Sequence, residues 1–215
     1  MNDYGLYIES TANVHDNSLS RDNYGVYVVS SAPLIRDNTI KSERICVYCQ
    51  DSSPQIEHND ICIMYAGTMP TDRTEPLEMY GIYAVNSNCT IINNTRIQGT
   101  GVGIYYANSN EGLIKNNTIS ANSYITKEGE IEVGESGGIS PSRYMKITFY
   151  APNGYGIQLV DASVRIEKNN ITKNMYGLYS TNSDAEVINN NITYQDRNYL
   201  TEVVEEQVPY YVRVW

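Results

Sequence analysis

The residues best suited to chemistry stand at a fixed spacing. His15-Asp16, Arg36-Asp37 and Glu57-His58 are three pairs of ionisable side chains, each immediately before an asparagine, at Asn17, Asn38 and Asn59. The pairs recur every 21 residues and include both histidines of the chain. If a fold stacks them, an acid, a base and a cation lie side by side, a set that could abstract a proton next to a uronate carboxylate while Arg36 neutralises its charge. The plainer reading is a solvated face on which opposite charges offset one another. It is the favoured one, because the same columns further along hold Asn93, Asn116, Lys168 and Asn189, ordinary polar surface.

A second candidate set is aromatic. Tyr7, Tyr27, Tyr48, Tyr83 and Tyr105 recur in step with the ionisable pairs. Flat rings in a row would stack against sugars. They would equally form a cross-strand ladder that stabilises a sheet, and near-uniform occupancy favours the ladder. Cys46 and Cys49 form a C-x-x-C. In a strand, three residues span about 10 Å and the two side chains point to opposite faces, so neither a mutual disulfide nor a metal site is expected there. Cys62 and Cys89 provide no second C-x-x-C. The N-x-[ST] sequons at Asn88, Asn93, Asn116, Asn170 and Asn191 follow from Asn-rich turns and argue little for glycosylation.

What would position these residues is a repeat. The tetrapeptide YG[LVI]Y, or a close variant, begins at Tyr4, Tyr24, Ile45, Tyr80, Val102, Tyr155 and Tyr176, 20 to 22 residues apart wherever nothing intervenes. An asparagine follows in each unit, at Asn17, Asn38, Asn59, Asn94, Asn117, Asn169 and Asn190. Aliphatic residues flank it, three before and two after, as in Ile35-x-x-Asn38-x-Ile40; in the fourth unit Ile97 slips by one. Within the first strand Leu6, Val26, Val47, Ile82, Ile104, Ile157 and Leu178 take one face and the tyrosines the other. Units this short bury nothing alone. The pattern predicts an all-β fold, a right-handed single-stranded parallel β-helix of about seven coils with two inserted loops. Stacked at about 4.8 Å, such coils make a rod roughly 30 Å long. The asparagines then form an internal ladder whose amides satisfy backbone groups at a turn. The glycine column marks a corner that needs positive φ or has no room for Cβ. A leucine-rich repeat shares the period, but five residues before each asparagine stand Ala12, Pro33, Pro54, Cys89, Gly112, Val164 and Ala185 rather than leucines.

The helix is expected over residues 1–198, interrupted at about 67–79 and 122–153, with 199–215 adding an edge strand or cap. In the longer interruption EGEIEVGE and MKITFYA read as two short strands of a projecting hairpin. Met1 runs almost directly into a complete repeat, which suggests a piece of a longer protein. The chain has 15 basic and 25 acidic residues, a net charge of −10, so nucleic acid and anionic membranes are poor partners. It holds 20 Tyr but one Phe and one Trp, a composition that favours strands. No apolar run approaches the 18 or so residues of a membrane span.

With GVYV…IRDNTI at 25–40 and GLYS…INNNI at 177–192, the chain resembles the parallel β-helix repeat proteins of the NosD-like and carbohydrate-binding or sugar-hydrolase group, which are pectin-lyase-like in fold. The resemblance implies an extracellular or cell-surface setting and a polysaccharide or surface protein as partner. That group includes lyases with calcium-binding carboxylates beside a catalytic Arg or Lys, and Asp16 and Asp37 with Arg36 match such a set only loosely. No cofactor is expected unless the chain is a lyase, which would use calcium. Two readings follow: a non-catalytic solenoid offering a long face, and a polysaccharide lyase or epimerase acting through His58, Asp37, Asp16, Arg36, His15 and Glu57. The enzyme requires a cleft beside the first coils, walled by the 67–79 loop, with His58 in hydrogen-bond reach of Asp37.

Overall fold

The computed structural model describes residues 2–64, 79–99, 101–120, 154–174 and 176–193, together with the strand backbones at 124–133 and 143–151. Apart from Met79 and those two strands, the 67–79 and 122–153 insertions lie outside the described residues, as does the segment 199–215. Among the described residues every regular element is a strand. In chain order they are β1 (Tyr4–Ile8), β2 (Asn13–His15), β3 (Ser18–Val29), β4 (Leu34–Arg36), β5 (Thr39–Gln50), β6 (Gln55–Glu57) and β7 (Asp60–Ile63). There follow β8 (Met79–Val85), β9 (Thr90–Ile92), β10 (Arg96–Gln98), β11 (Gly101–Ser109), β12 (Leu113–Lys115) and β13 (Thr118–Ser120). The series closes with β14 (Tyr124–Val133), β15 (Arg143–Ala151), β16 (Tyr155–Glu167), β17 (Asn170–Thr172), β18 (Tyr176–Thr181), β19 (Asp184–Ile188) and β20 (Asn191–Thr193).

The chain winds so that equivalent strands pair in parallel, in three files. The first runs β1, the end of β3, the end of β5, β8, β11, the start of β16 and β18, with Val26 opposite Val47, Val47 opposite Ile82 and Ile82 opposite Ile104. The second runs β2, β4, β6, β9, β12, the end of β16 and β19. The third runs from the start of β3 through the start of β5, β7, β10, β13 and β17 to β20. The result is a parallel β-helix. Strands β14 and β15 pair antiparallel as a separate two-stranded sheet.

The three files enclose one core. Val47, Ile82 and Ile104 from the first, Ile35, Ile56, Ile91, Ile114 and Ile166 from the second, and Ile40, Ile61, Ile97, Ile119 and Ile171 from the third are all 0% exposed. Each such side chain contributes roughly 1.5–3 kcal/mol by leaving water. Ile97 pairs with Ile61 despite the extra residue before it, so the fourth unit absorbs its slip at Thr95 and restores register.

Corners are fixed by backbone conformation and by polar ladders. Asp16, Asp37, His58, Asn93, Asn116, Lys168 and Asn189, with φ of 52 to 56°, turn the chain from the second file to the third. Ser30, Asp51, Asn86, Asn108, Asp161 and Asn182, with φ of 48 to 52°, turn it from the first to the second. Inside the first of these corners runs the asparagine ladder: Asn38 Nδ2 donates to Asn59 Oδ1 at 3.0 Å, Asn59 to Asn94 at 3.1 Å and Asn94 to Asn117 at 2.9 Å. It continues from Asn17 to Asn190. The repeating glycine is explained by space rather than φ: a Cβ on Gly25 would lie 2.6 Å from the Ser42 hydroxyl and 2.5 Å from Ile40, and the residue has no positive φ. Cys46 occupies this column in the third unit and is buried, as is Cys49. The pairing of β3 with β5 is irregular just before it, between Asp22–Ser42 and Tyr24–Ile45, and both cysteines lie in the core, so the expectation of opposite faces is corrected. All four cysteines are free.

Candidate functional site

The ionisable pairs divide between a strand and a corner. His15, Arg36 and Glu57 lie in register on the outer side of the second file, His15 beside Arg36 and Arg36 beside Glu57. Asp16, Asp37 and His58 are the corner residues themselves. Asn, Asp and His are several-fold enriched in the left-handed region, so six of the seven residues at this corner are of the types that its backbone selects. Local pairing then takes up the side chains. His15 Nδ1 meets Asp16 Oδ2 at 2.7 Å, Arg36 Nη1 donates to Asp37 Oδ2 at 2.7 Å, and Gln55 Nε2 donates to Glu57 Oε2 at 2.8 Å. Among the described residues no hydrogen bond joins His58 to Asp37, whose carboxylate is held by its own neighbour Arg36. After His58 and Asn59, the four-residue β7 carries the chain about 13 Å across the third file before the first insertion begins. The stripe therefore borders one edge of that file and the insertion leaves from the other.

Elsewhere the second and third files carry charge in pairs. Arg96 grips Asp60 with two bonds, at 2.6 and 2.8 Å. Glu167 is held by Lys115 and by Arg165, which also reaches Glu186 at 2.6 Å. Lys115 and then Arg165 keep the Glu167 carboxyl below the usual carboxylate range. A shallow groove of about 220 Å³ lies here, between Glu111, Arg165, Asp184 and Glu186, on later coils than His58. Among the described residues no three His, Cys, Asp or Glu side chains gather to hold a metal ion.

The first file differs. Its segments read YGLYIE, YGVYVV, ICVYCQ, YGIYAV, VGIYYA, YGIQLV and YGLYST, with Glu9 in the first coil their one charged residue, in a chain that has 15 basic and 25 acidic ones. Strand alternation turns Tyr7, Tyr27, Tyr48, Tyr83 and Tyr105 outward, where they stack with centroids 5.5, 4.4, 5.3 and 4.7 Å apart and planes within 13°. A second row stands beside it. Tyr4 and Tyr24 stack at 5.4 Å, and Tyr155 and Tyr176 at 5.3 Å. The rows meet edge to face, as at Tyr24–Tyr27 and Tyr80–Tyr83. Gln158 interrupts the main row opposite Tyr105. Because each ring covers its neighbour along the rod, what faces solvent is a line of ring edges and hydroxyls. Burial, and then Tyr27, push the Tyr48 phenol up to about 12, while Tyr7 donates to Glu9 at 2.8 Å and is raised chiefly by that bond. Both insertions leave the coil between the third file and this one, after β7 and after β13.

The family model for the right handed beta helix region matches residues 2–192. The chain belongs to that family. No curated protein and no solved structure matches it. The winding of this right-handed β-helix thus has a family, and its site must be read from its own residues. Two features escaped the reading of its sequence. One is the absence of charge from one face in every described coil after the first, visible once the strand segments are aligned in files. The other is an internal serine file, in which Ser52 N–H donates to Ser87 Oγ and Ser87 N–H to Ser109 Oγ, both at 3.1 Å. A signal for it existed: a serine follows the corner between the first and second files in most units, at Ser31, Ser52, Ser87, Ser109 and Ser183.

Proposed function

We propose that this β-helix is a non-catalytic solenoid, working outside the cell or at its surface, whose tyrosine face contacts a polysaccharide or a protein. The observation that carries the reading is the outer face of the first file, which beyond Glu9 in the first coil carries no charge, on a chain of net charge −10. Solvent-facing strand positions ordinarily tolerate charge, as the other two files do with Arg36, Glu57, Lys115, Asp60 and Arg96. A contiguous face from which charge is excluded marks an interaction surface. The candidate acid-base stripe supports no rival reading of equal weight, since corner geometry and adjacent pairing account for its residues.

The test compares wild type, Gln50→Lys on the tyrosine face and His58→Ala at the corner. A glycan array and a sedimentation series report glycan and protein contact, and absorbance of unsaturated uronate reports lyase chemistry. The expected result is contact that Gln50→Lys weakens at least tenfold and His58→Ala leaves alone, without uronate formation. Turnover of a polyuronate that His58→Ala abolishes overturns the reading. So does a chain that contacts neither glycan nor protein.

A further inference from the structure

We infer that the tyrosine face is a self-association surface: two copies of the chain pair through it, face to face. The inference rests on the contact reading above and commits it to one partner. Charge is the first argument. Two molecules of net charge −10 repel, and burying unpaired like charges at their contact would add a desolvation cost. Of the three files only the first offers a face whose sole charge, Glu9 beside Tyr7, lies at one end in the first coil, so the described coils beyond it bury no charge. It is bordered by the polar corner residues Asp51, Asn86, Asn108 and Asp161, and Asn86 donates to Asp51 at 3.1 Å. An uncharged aromatic centre inside a polar rim is the usual anatomy of a protein interface.

Period is the second argument. Outward side chains on this face repeat once per coil, about every 4.8 Å. A partner with another repeat would fall out of step after a few coils, whereas a second copy has the same repeat by identity. Ridges of ring edges on one molecule then enter the grooves of the other along the full rod. Third, the area suffices. Six-residue segments about 20 Å wide, stacked over about 30 Å, present roughly 600 Å² per copy and 1,200 Å² in all, the lower edge of specific interfaces. Finally, the rings are already held by one another at 4.4 to 5.5 Å, so docking freezes few new rotamers.

Sedimentation equilibrium of the full chain, from micromolar to near-millimolar concentration, tests this. Wild type should rise from the mass of one chain to twice that mass. Gln50→Lys and Val160→Lys, outward on different coils of the face, should each raise the dissociation constant at least tenfold, with unchanged far-UV circular dichroism. Thr118→Lys on the third file should leave it unchanged. A wild type that stays monomeric throughout overturns the inference, as does an equal shift from all three variants. If that monomer binds a glycan and Gln50→Lys abolishes binding, self-association fails while the contact reading stands.

Discussion

His58 and Asn59 are neighbours in the chain, yet different demands chose them. Asn59 is 0% exposed; its Oδ1 accepts from the backbone and side chain of Asn38 while its Nδ2 donates to Ile35 O, Glu57 O and Asn94 Oδ1. Asn59→Ala strands several of these buried groups at roughly 1–3 kcal/mol each. It should cost at least about 3 kcal/mol in urea denaturation. His58 is exposed, with φ of 54°. His58→Asn keeps a residue suited to that conformation and should change stability by no more than about 0.5 kcal/mol. His58→Val should lose about 1–2 kcal/mol. If His58→Asn proved as damaging as His58→Val, the corner explanation of the ionisable stripe would be wrong. The asparagine column was legible in the sequence because one residue type recurs there between aliphatic residues. The corner beside it was not, since its residues share a φ and not a chemistry, and Asp16, Asp37 and His58 read as a solvated charged face or as acid and base but not as a turn.

Strands and their stacked files carry the next consequence. Alternation and the repeat foretold which tyrosines face outward, because period-two patterning survives stacking. It failed at Cys46 and Cys49, where the strand pairing is irregular just before the crowded glycine column and both cysteines lie in the core. The files also have a titration that no single residue would show. Partial burial, with Tyr27 on one side and Tyr83 on the other, raises the Tyr48 phenol from 10.0 to about 12. The folded state therefore holds this proton more tightly than the unfolded chain. Stability from that difference is fully present below pH 10 and is lost as pH rises through about 12. Tyr48→Phe removes the ionisable group and keeps the ring. Its melting temperature should consequently fall less steeply than that of wild type over that alkaline window, while the two differ little at neutral pH. Parallel alkaline slopes would mean that Tyr48 ionises in the folded state as freely as in the unfolded chain.

At the scale of the molecule the decisive property is one-dimensional stacking, in which each coil is stabilised by the coils above and below it. The structure shows the resulting gradient. Ile56, Ile61 and Ile91 are 0% exposed, whereas Val187 and Ile192, in equivalent columns of the last described coil, are each 45% exposed. Sequence alone could not reveal this, since the columns are filled by the same residue types throughout, and what differs is whether a neighbour covers them. Ile61→Ala removes a side chain enclosed on all sides and should cost about 2–5 kcal/mol through lost burial and the cavity left behind. Ile192→Ala removes a half-open side chain and should cost under about 1 kcal/mol. Hydrogen exchange should follow the same order, with amides of β6, β7 and β9 opening only near global unfolding and those of β19 and β20 opening locally. Equal losses from the two alanine substitutions, with uniform protection from β6 to β20, would mean that the coils unfold as a single cooperative block. Nearest-neighbour stacking would then no longer account for how the rod holds together.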